Sequence, residues 1–336
     1  MNEVENHRLQ ETLASRLVTR ALDSAVSRLG LSLPAGQSNE LSLRCCTGPA
    51  DRLGQLVAAA ERVQAVSGAA VAVVFLAQCT ATLPDDAGLA WLLCRALFAL
   101  GAPRTEEQVL SFERRFGPTL ESLVLLGRVL LTRGSAGPAL EAFDAALLRA
   151  PGDVEAMFGR GKALLAMGKA SAAVDVLAAA SCQKLGDDDV AFHLALAQSA
   201  SGKTECAIAV LQSLLARRPD HAEGQFQLGL ALQDLGSHDD AERAFAAALH
   251  LRPGWAEASF NRGISLLELR ELSSALAAFA AALAWNPACA APVAQAMTSG
   301  AMGRLWLDPA AMLGDLSALH LGPGGAEAPA IDAGLS

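Results

Sequence analysis

Residues 222–255, AEGQFQLGLALQDLGSHDDAERAFAAALHLRPGW, and residues 256–289, AEASFNRGISLLELRELSSALAAFAAALAWNPAC, are two copies of one pattern. Pro219, Pro253 and Pro287 stand 34 residues apart, and Pro151 falls two periods before Pro219. Ala139, Ala173, Ala207, Ala241 and Ala275 keep the same phase, as do the larger apolar residues Phe143, Leu177, Leu211, Phe245 and Phe279. Small residues recur at Gly127, Gly161, Ala195, Gly229 and Gly263, and turn glycines at Gly134, Gly168, Gly202 and Gly236. Self-similarity at a fixed period of this length marks a stack of supersecondary units.

Each unit reads as a helical hairpin. The first helix runs from about Glu223 to Leu235 and stops at Gly236, which can take the left-handed conformation. The chain restarts at Asp239 or Asp240, with Asp239 the expected N-cap. Ala241, Phe245 and Ala248 then follow at helical spacing, one stripe turned to the partner helix. Pro253 ends the second helix, because proline cannot supply the next amide donor.

On these rows the sequence resembles the tetratricopeptide repeat family, whose pattern is a small residue in the first helix, Ala, an aromatic and Ala in the second, then Pro. The resemblance implies an all-α fold, an α-solenoid of five hairpins at 120–153, 154–187, 188–221, 222–255 and 256–289. The chain departs from the pattern where Leu185 replaces Pro, Arg270 the turn Gly, and Arg160 and Arg262 a Leu. About two degenerate copies are expected over 53–119: Ala72, Leu76, Cys79 and Pro84 keep the second-helix spacing, while the unit from Trp91 to Pro118 lacks the Ala row. An amphipathic helix and linker over 1–52, capping helices over 290–320 (Ala290 to Ser299 and Asp308 to Leu319) and a disordered tail over 321–336 complete the expected organisation.

Composition agrees with helices. Hydrophobic residues are 52% of the 336, aromatics only 4%, and Tyr is absent, so Ala and Leu supply most buried surface. A formal charge of −9 argues against a grip on nucleic acid, which needs clustered Lys and Arg. The pairs Arg114 with Arg115 and Arg217 with Arg218 read as solvated helix ends. The acidic, polar start MNEVENHRLQETL does not resemble a secretory leader. GAAVAVVFLA, residues 68–77, is shorter than the roughly 20 residues of a membrane span and reads as a buried helix. The seven cysteines include no CxxC pair, which suits a reduced cytoplasm. Cys79, Cys94 and Cys206 are expected to be small buried hydrophobes, and the adjacent Cys45 and Cys46 stand apart from them.

In the family the first helix of each repeat lines a concave groove, and the resemblance implies that a protein or peptide partner binds there. The candidate residues form rows: Phe158, Phe192, Phe226 and Phe260, then the polar His193, Gln227 and Asn261. Two readings of the Phe row stand, a ladder for a ligand or packing against the next repeat. Glu155, Asp189, Glu223 and Glu257 lie in first turns, where carboxylates oppose the helix dipole; the four would also border the groove and favour a partner with apolar and basic residues, Glu223 and Glu257 being the candidates for contact. Phe at the positions where the family's chaperone-tail binders carry Lys speaks against that specialised use.

No catalytic residue, cofactor site or metal site is expected. AQSASGKT, residues 197–204, matches a loose phosphate-loop pattern but spans a helix end and the regular turn at Gly202 rather than a strand and a Gly-rich loop. The run Asp187, Asp188, Asp189 precedes a helix and reads as capping. The function expected is a non-catalytic cytoplasmic scaffold or adaptor. The alternatives are an accessory or recognition subunit of a separately encoded glycosyltransferase, oxygenase or sulfotransferase, since 47 residues after 289 are too few for a catalytic core, and an assembly factor for an envelope complex.

Overall fold

The structure, a computed structural model, describes residues 69–299 apart from 83 and 185. The expected helix and linker of 1–52, Cys45, Cys46, Leu185, the helix from Asp308 to Leu319 and the tail of 321–336 lie outside the described residues. The chain divides into two compact units, residues 1–167 and 168–336.

The first unit contains α1 (Ala69–Thr82), α2 (Ala87–Ala99), α3 (Thr105–Phe116), α4 (Leu120–Thr132), α5 (Ala136–Arg149) and α6 (Val154–Ala166). Each packs on the next, and α4 also lies beside α2 and α6. The apolar run read as a buried helix is α1, with Val73 and Val74 sealed from solvent. In α3, Thr105 stands 34 residues before Ala139 and is buried, its hydroxyl donating to the Ala102 carbonyl at 2.6 Å. Val109 and Phe112 continue that stripe inward. The centre of the unit is Phe143, fully buried. Its ring lies against Gly127 of its own hairpin and Gly159 of the next: a Cβ at Gly127 would stand 2.6 Å from the ring, and one at Gly159 would overlap it too.

The second unit contains α7 (Ala170–Gln183), α8 (Asp188–Ala200), α9 (Thr204–Arg217), α10 (Ala222–Asp234), α11 (His238–Leu251), α12 (Ala256–Glu268), α13 (Leu272–Trp285), a 3-10 turn (Pro287–Cys289) and α14 (Ala290–Ser299). Sequential helices pack together, and α10 lies beside α8 and α12. Ala241, Phe245 and Ala248 are all at 0% exposure, as are Ala275, Phe279 and Ala282. Val293 and Met297 of α14 join the core of Leu266, Phe279 and Leu283.

The hairpin turns are closed by backbone. At Gly236, φ is 73°, and the Ser237 amide donates to the Leu232 carbonyl at 2.9 Å, a Schellman closure that satisfies an otherwise orphan acceptor. Ser135, Lys203 and Glu271 repeat that bond. Asp239 is therefore not the N-cap of α11; Ser237 occupies the cap, with no side-chain bond, and Asp239 sits in the first turn. The backbone closure leaves a side-chain cap nothing essential to do. Cys206 also differs from expectation, being exposed, because it lies off the Ala207, Leu211, Leu214 stripe that faces inward. Cys94 is buried, and desolvation pushes its thiol up to about 12.

Arg270 takes the turn position with φ of 64°. An L-residue pays roughly 1–2 kcal/mol for that conformation, which glycine avoids. Arg270→Gly is expected to stabilise the protein by about 1 kcal/mol in a chemical denaturation titration; an unchanged or lower midpoint would contradict this account of the turn.

Candidate partner-binding face

Side chains three and four apart share one face of a helix. In the second unit, residues 2, 6, 9 and 13 of each first helix form such stripes: Asp189, His193, Leu196, Ala200 on α8; Glu223, Gln227, Leu230, Asp234 on α10; Glu257, Asn261, Ile264, Glu268 on α12. Exposure repeats in all three. The outer two residues of each stripe are exposed and the inner two half-buried. Since α10 lies beside both α8 and α12, the stripes assemble into one face with an apolar and amide middle and carboxylates toward both ends.

Local capping fixes where each stripe begins. Asp187 caps α8 by accepting from the Val190 amide at 3.1 Å, and the hydrogen bond from Lys184 holds its carboxyl below the usual range. Asp188 instead pairs with Arg217 at 3.0 Å. His221 caps α10, its Nδ1 accepting from the Gly224 amide at 2.8 Å. The His221 ring also lies 5.1 Å from Phe192, tying α10 to α8.

The predicted rows are placed as follows. Phe226 is buried, its ring 5.8 Å from Phe245 and 4.5 Å from Trp255. Phe192 and Phe260 are half-buried, Phe260 lying 5.8 Å from Phe279. Phe158 belongs to the first unit, half-buried, with the Lys162 ammonium 5.3 Å from its ring. His193 Nδ1 lies 2.8 Å from the Asp189 carbonyl, and Asn261 donates Nδ2 to the Glu257 carbonyl at 2.9 Å. Gln227 is half-buried between them in register. Glu223 and Glu257 are exposed, with Arg252 at 3.5 Å from Glu223; Glu155 and Asp189 likewise occupy first turns. Leu196, Leu230, Ile264, Asp234 and Glu268 were absent from the predicted rows, although the 4-3-4 spacing within each helix marks them.

The sequence 197–204 spans the end of α8 and the turn at Gly202, with φ of 79°. Among the described residues, no group of three or more His, Cys, Asp or Glu side chains is placed to hold a metal, and no helix is long and apolar enough to cross a membrane.

The family model for the tetratricopeptide repeat matches residues 124–187, 192–254 and 226–291, the same stretches that form the stacked hairpins. Residues 124–187 and 192–291 are tetratricopeptide repeats. Solved tetratricopeptide structures are similar over about half of its length. MamA is 23% identical, covering 49% of this chain and 97% of its own, with a TM-score of 0.46. MamA from Desulfovibrio magneticus RS-1 is 19% identical, covering 50% and 96%, at 0.48. YrrB, described as a TPR protein with an unusual peptide-binding site, is 21% identical, covering 54% and 94%, at 0.46. No curated protein matches the chain in sequence.

Proposed function

We propose that this tetratricopeptide protein is a non-catalytic cytoplasmic scaffold or adaptor, working without a cofactor. It holds a protein or peptide segment with apolar and basic residues against the first-helix face of α8, α10 and α12. One observation carries the reading: three adjacent stripes repeat the same order of carboxylate, polar group and aliphatic side chain, and α10 and α12 each end on a second carboxylate. An aliphatic middle gives a ligand apolar area to bury, and the carboxylates steer and orient a cationic partner. His193, Gln227 and Asn261 add polar groups beside it, and Phe192 and Phe260, both half-buried, directly precede His193 and Asn261 in the chain.

The test is fluorescence anisotropy with a labelled peptide of about twelve residues alternating Leu and Lys. Reversing two charges, Glu223→Lys with Glu257→Lys, is expected to weaken binding by about tenfold at low salt, since hydrogen bonds to charged groups contribute on that scale, and to lower melting only modestly, because two first-turn carboxylates no longer oppose the helix dipole. Equal affinity in the variant, or an equal loss from Arg243→Glu on the outer side of α11, would sink the proposal.

A further inference from the structure

We propose that the first-helix face of the first unit takes an acidic protein segment, held by a row of three cations, Arg95, Arg128 and Lys162. These are the ninth residues of α2 (AGLAWLLCRALFA), α4 (LESLVLLGRVLLT) and α6 (VEAMFGRGKALLA). In the second unit the ninth residues are Leu196, Leu230 and Ile264. The same register therefore carries aliphatic groups in one unit and positive charge in the other. Because α4 lies beside both α2 and α6, the three cations form a row on adjacent helices.

The row is available and held in place. Arg95 and Arg128 are exposed and Lys162 half-buried, and none of the three is ion-paired with a described residue. The Arg128 guanidinium stands 4.7 Å over the Phe98 ring of α2, and the Lys162 ammonium 5.3 Å from Phe158. A ring beneath a guanidinium restrains its plane and leaves its N–H edge free for the two parallel bonds that a carboxylate accepts. Residues 6 and 13 of the same helices are Leu92 and Ala99, Leu125 and Thr132, Gly159 and Ala166. None competes with a ligand carboxylate, and Glu121 and Glu155 are confined to first turns. Three cations on a chain of net charge −9 are too few to hold a polyanionic backbone, which needs a broad basic surface. Spaced carboxylates with apolar residues between them match both the cations and the neighbouring Leu92 and Phe98.

The experiment uses the full chain and a labelled peptide of about twelve residues alternating Glu with Leu and Phe. Wild type is expected to bind with an affinity that falls as salt rises. Arg128→Gln with Lys162→Gln is expected to weaken binding about tenfold, and Arg95→Glu with Arg128→Glu and Lys162→Glu to abolish it. The two-residue variant changes one exposed and one half-buried side chain, each resting on a ring, and should melt close to wild type, which guards against a folding artefact. Arg243→Gln, which removes one exposed positive charge on α11, should leave this affinity unchanged, and because the acidic peptide and the basic peptide of the previous test are read separately, the two readings fail separately. Absence of wild-type binding, equal affinity in the triple variant, or tighter binding of single-stranded DNA than of the peptide would overturn the proposal.

Discussion

Replacing Phe245 by alanine should destabilise the protein by about 3–5 kcal/mol, the usual cost of removing a buried aromatic side chain. The ring is fully buried, and its surroundings come from more than one hairpin: Ala241 and Ala248 on its own helix, Phe226 on α10, and Ala258 on α12. No single hairpin can collapse into the space it would leave. Urea denaturation gives the value directly, and a loss below about 1 kcal/mol, the range of ordinary surface changes, would mean that the hairpins do not share an interior at this position.

The second large effect comes from adding atoms. A Cβ at Gly229 would stand 2.6 Å from the Phe245 ring. Two terms of opposite sign compete in Gly229→Ala. Helix propensity favours alanine by about 1 kcal/mol, while overpacking a closed core costs about 1–3 kcal/mol and at times more. Phe245 has no exposed side to retreat to, so overpacking should win and the protein should lose about 1–2 kcal/mol net. The array itself contains the compensated form: where the small residue is Ala195, its partner is Leu211, and both are buried in one cluster. Gly127, Gly229 and Gly263 instead meet Phe143, Phe245 and Phe279. Gly229→Ala combined with Phe245→Leu should therefore cost less than the sum of the two single changes, a coupling that a double-mutant cycle measures. Strict additivity would show that the two side chains do not touch.

Much of this architecture is legible in the sequence because the restraint is periodic. The stripe Ala241, Phe245, Ala248 predicts three buried side chains, and all three are buried. Asp239 misled because turn polarity suggests a side-chain cap, whereas the left-handed Gly236 lets the backbone close the hairpin unaided. Cys206 misled because apolar neighbours along the chain are not neighbours in space: Ala207 turns inward while Cys206 points to solvent.

The candidate face was less legible. Columns read between repeats find Phe158, Phe192, Phe226 and Phe260, and they do not show that Phe226 is spent in the core while the other three keep some surface. Reading along one helix at 4-3-4 spacing adds Leu230 and Asp234 to Glu223 and Gln227, but which such stripe faces solvent depends on packing that repeats alone do not state. The cations Arg95, Arg128 and Lys162 were hidden by net charge, which averages the surface and conceals a local row of opposite sign.

Site-specific photocrosslinking reads the central claim most directly. A benzophenone amino acid placed in turn at Leu196, Leu230 and Ile264, or on the outer side at Ala209 and Arg243, is irradiated in cells, and the adducts are identified by mass spectrometry. The first-helix positions should capture the same protein partner, with little yield from the outer ones. Adducts that form mainly at Ala209 and Arg243, or none at Leu196, Leu230 and Ile264, would contradict a binding face built on α8, α10 and α12.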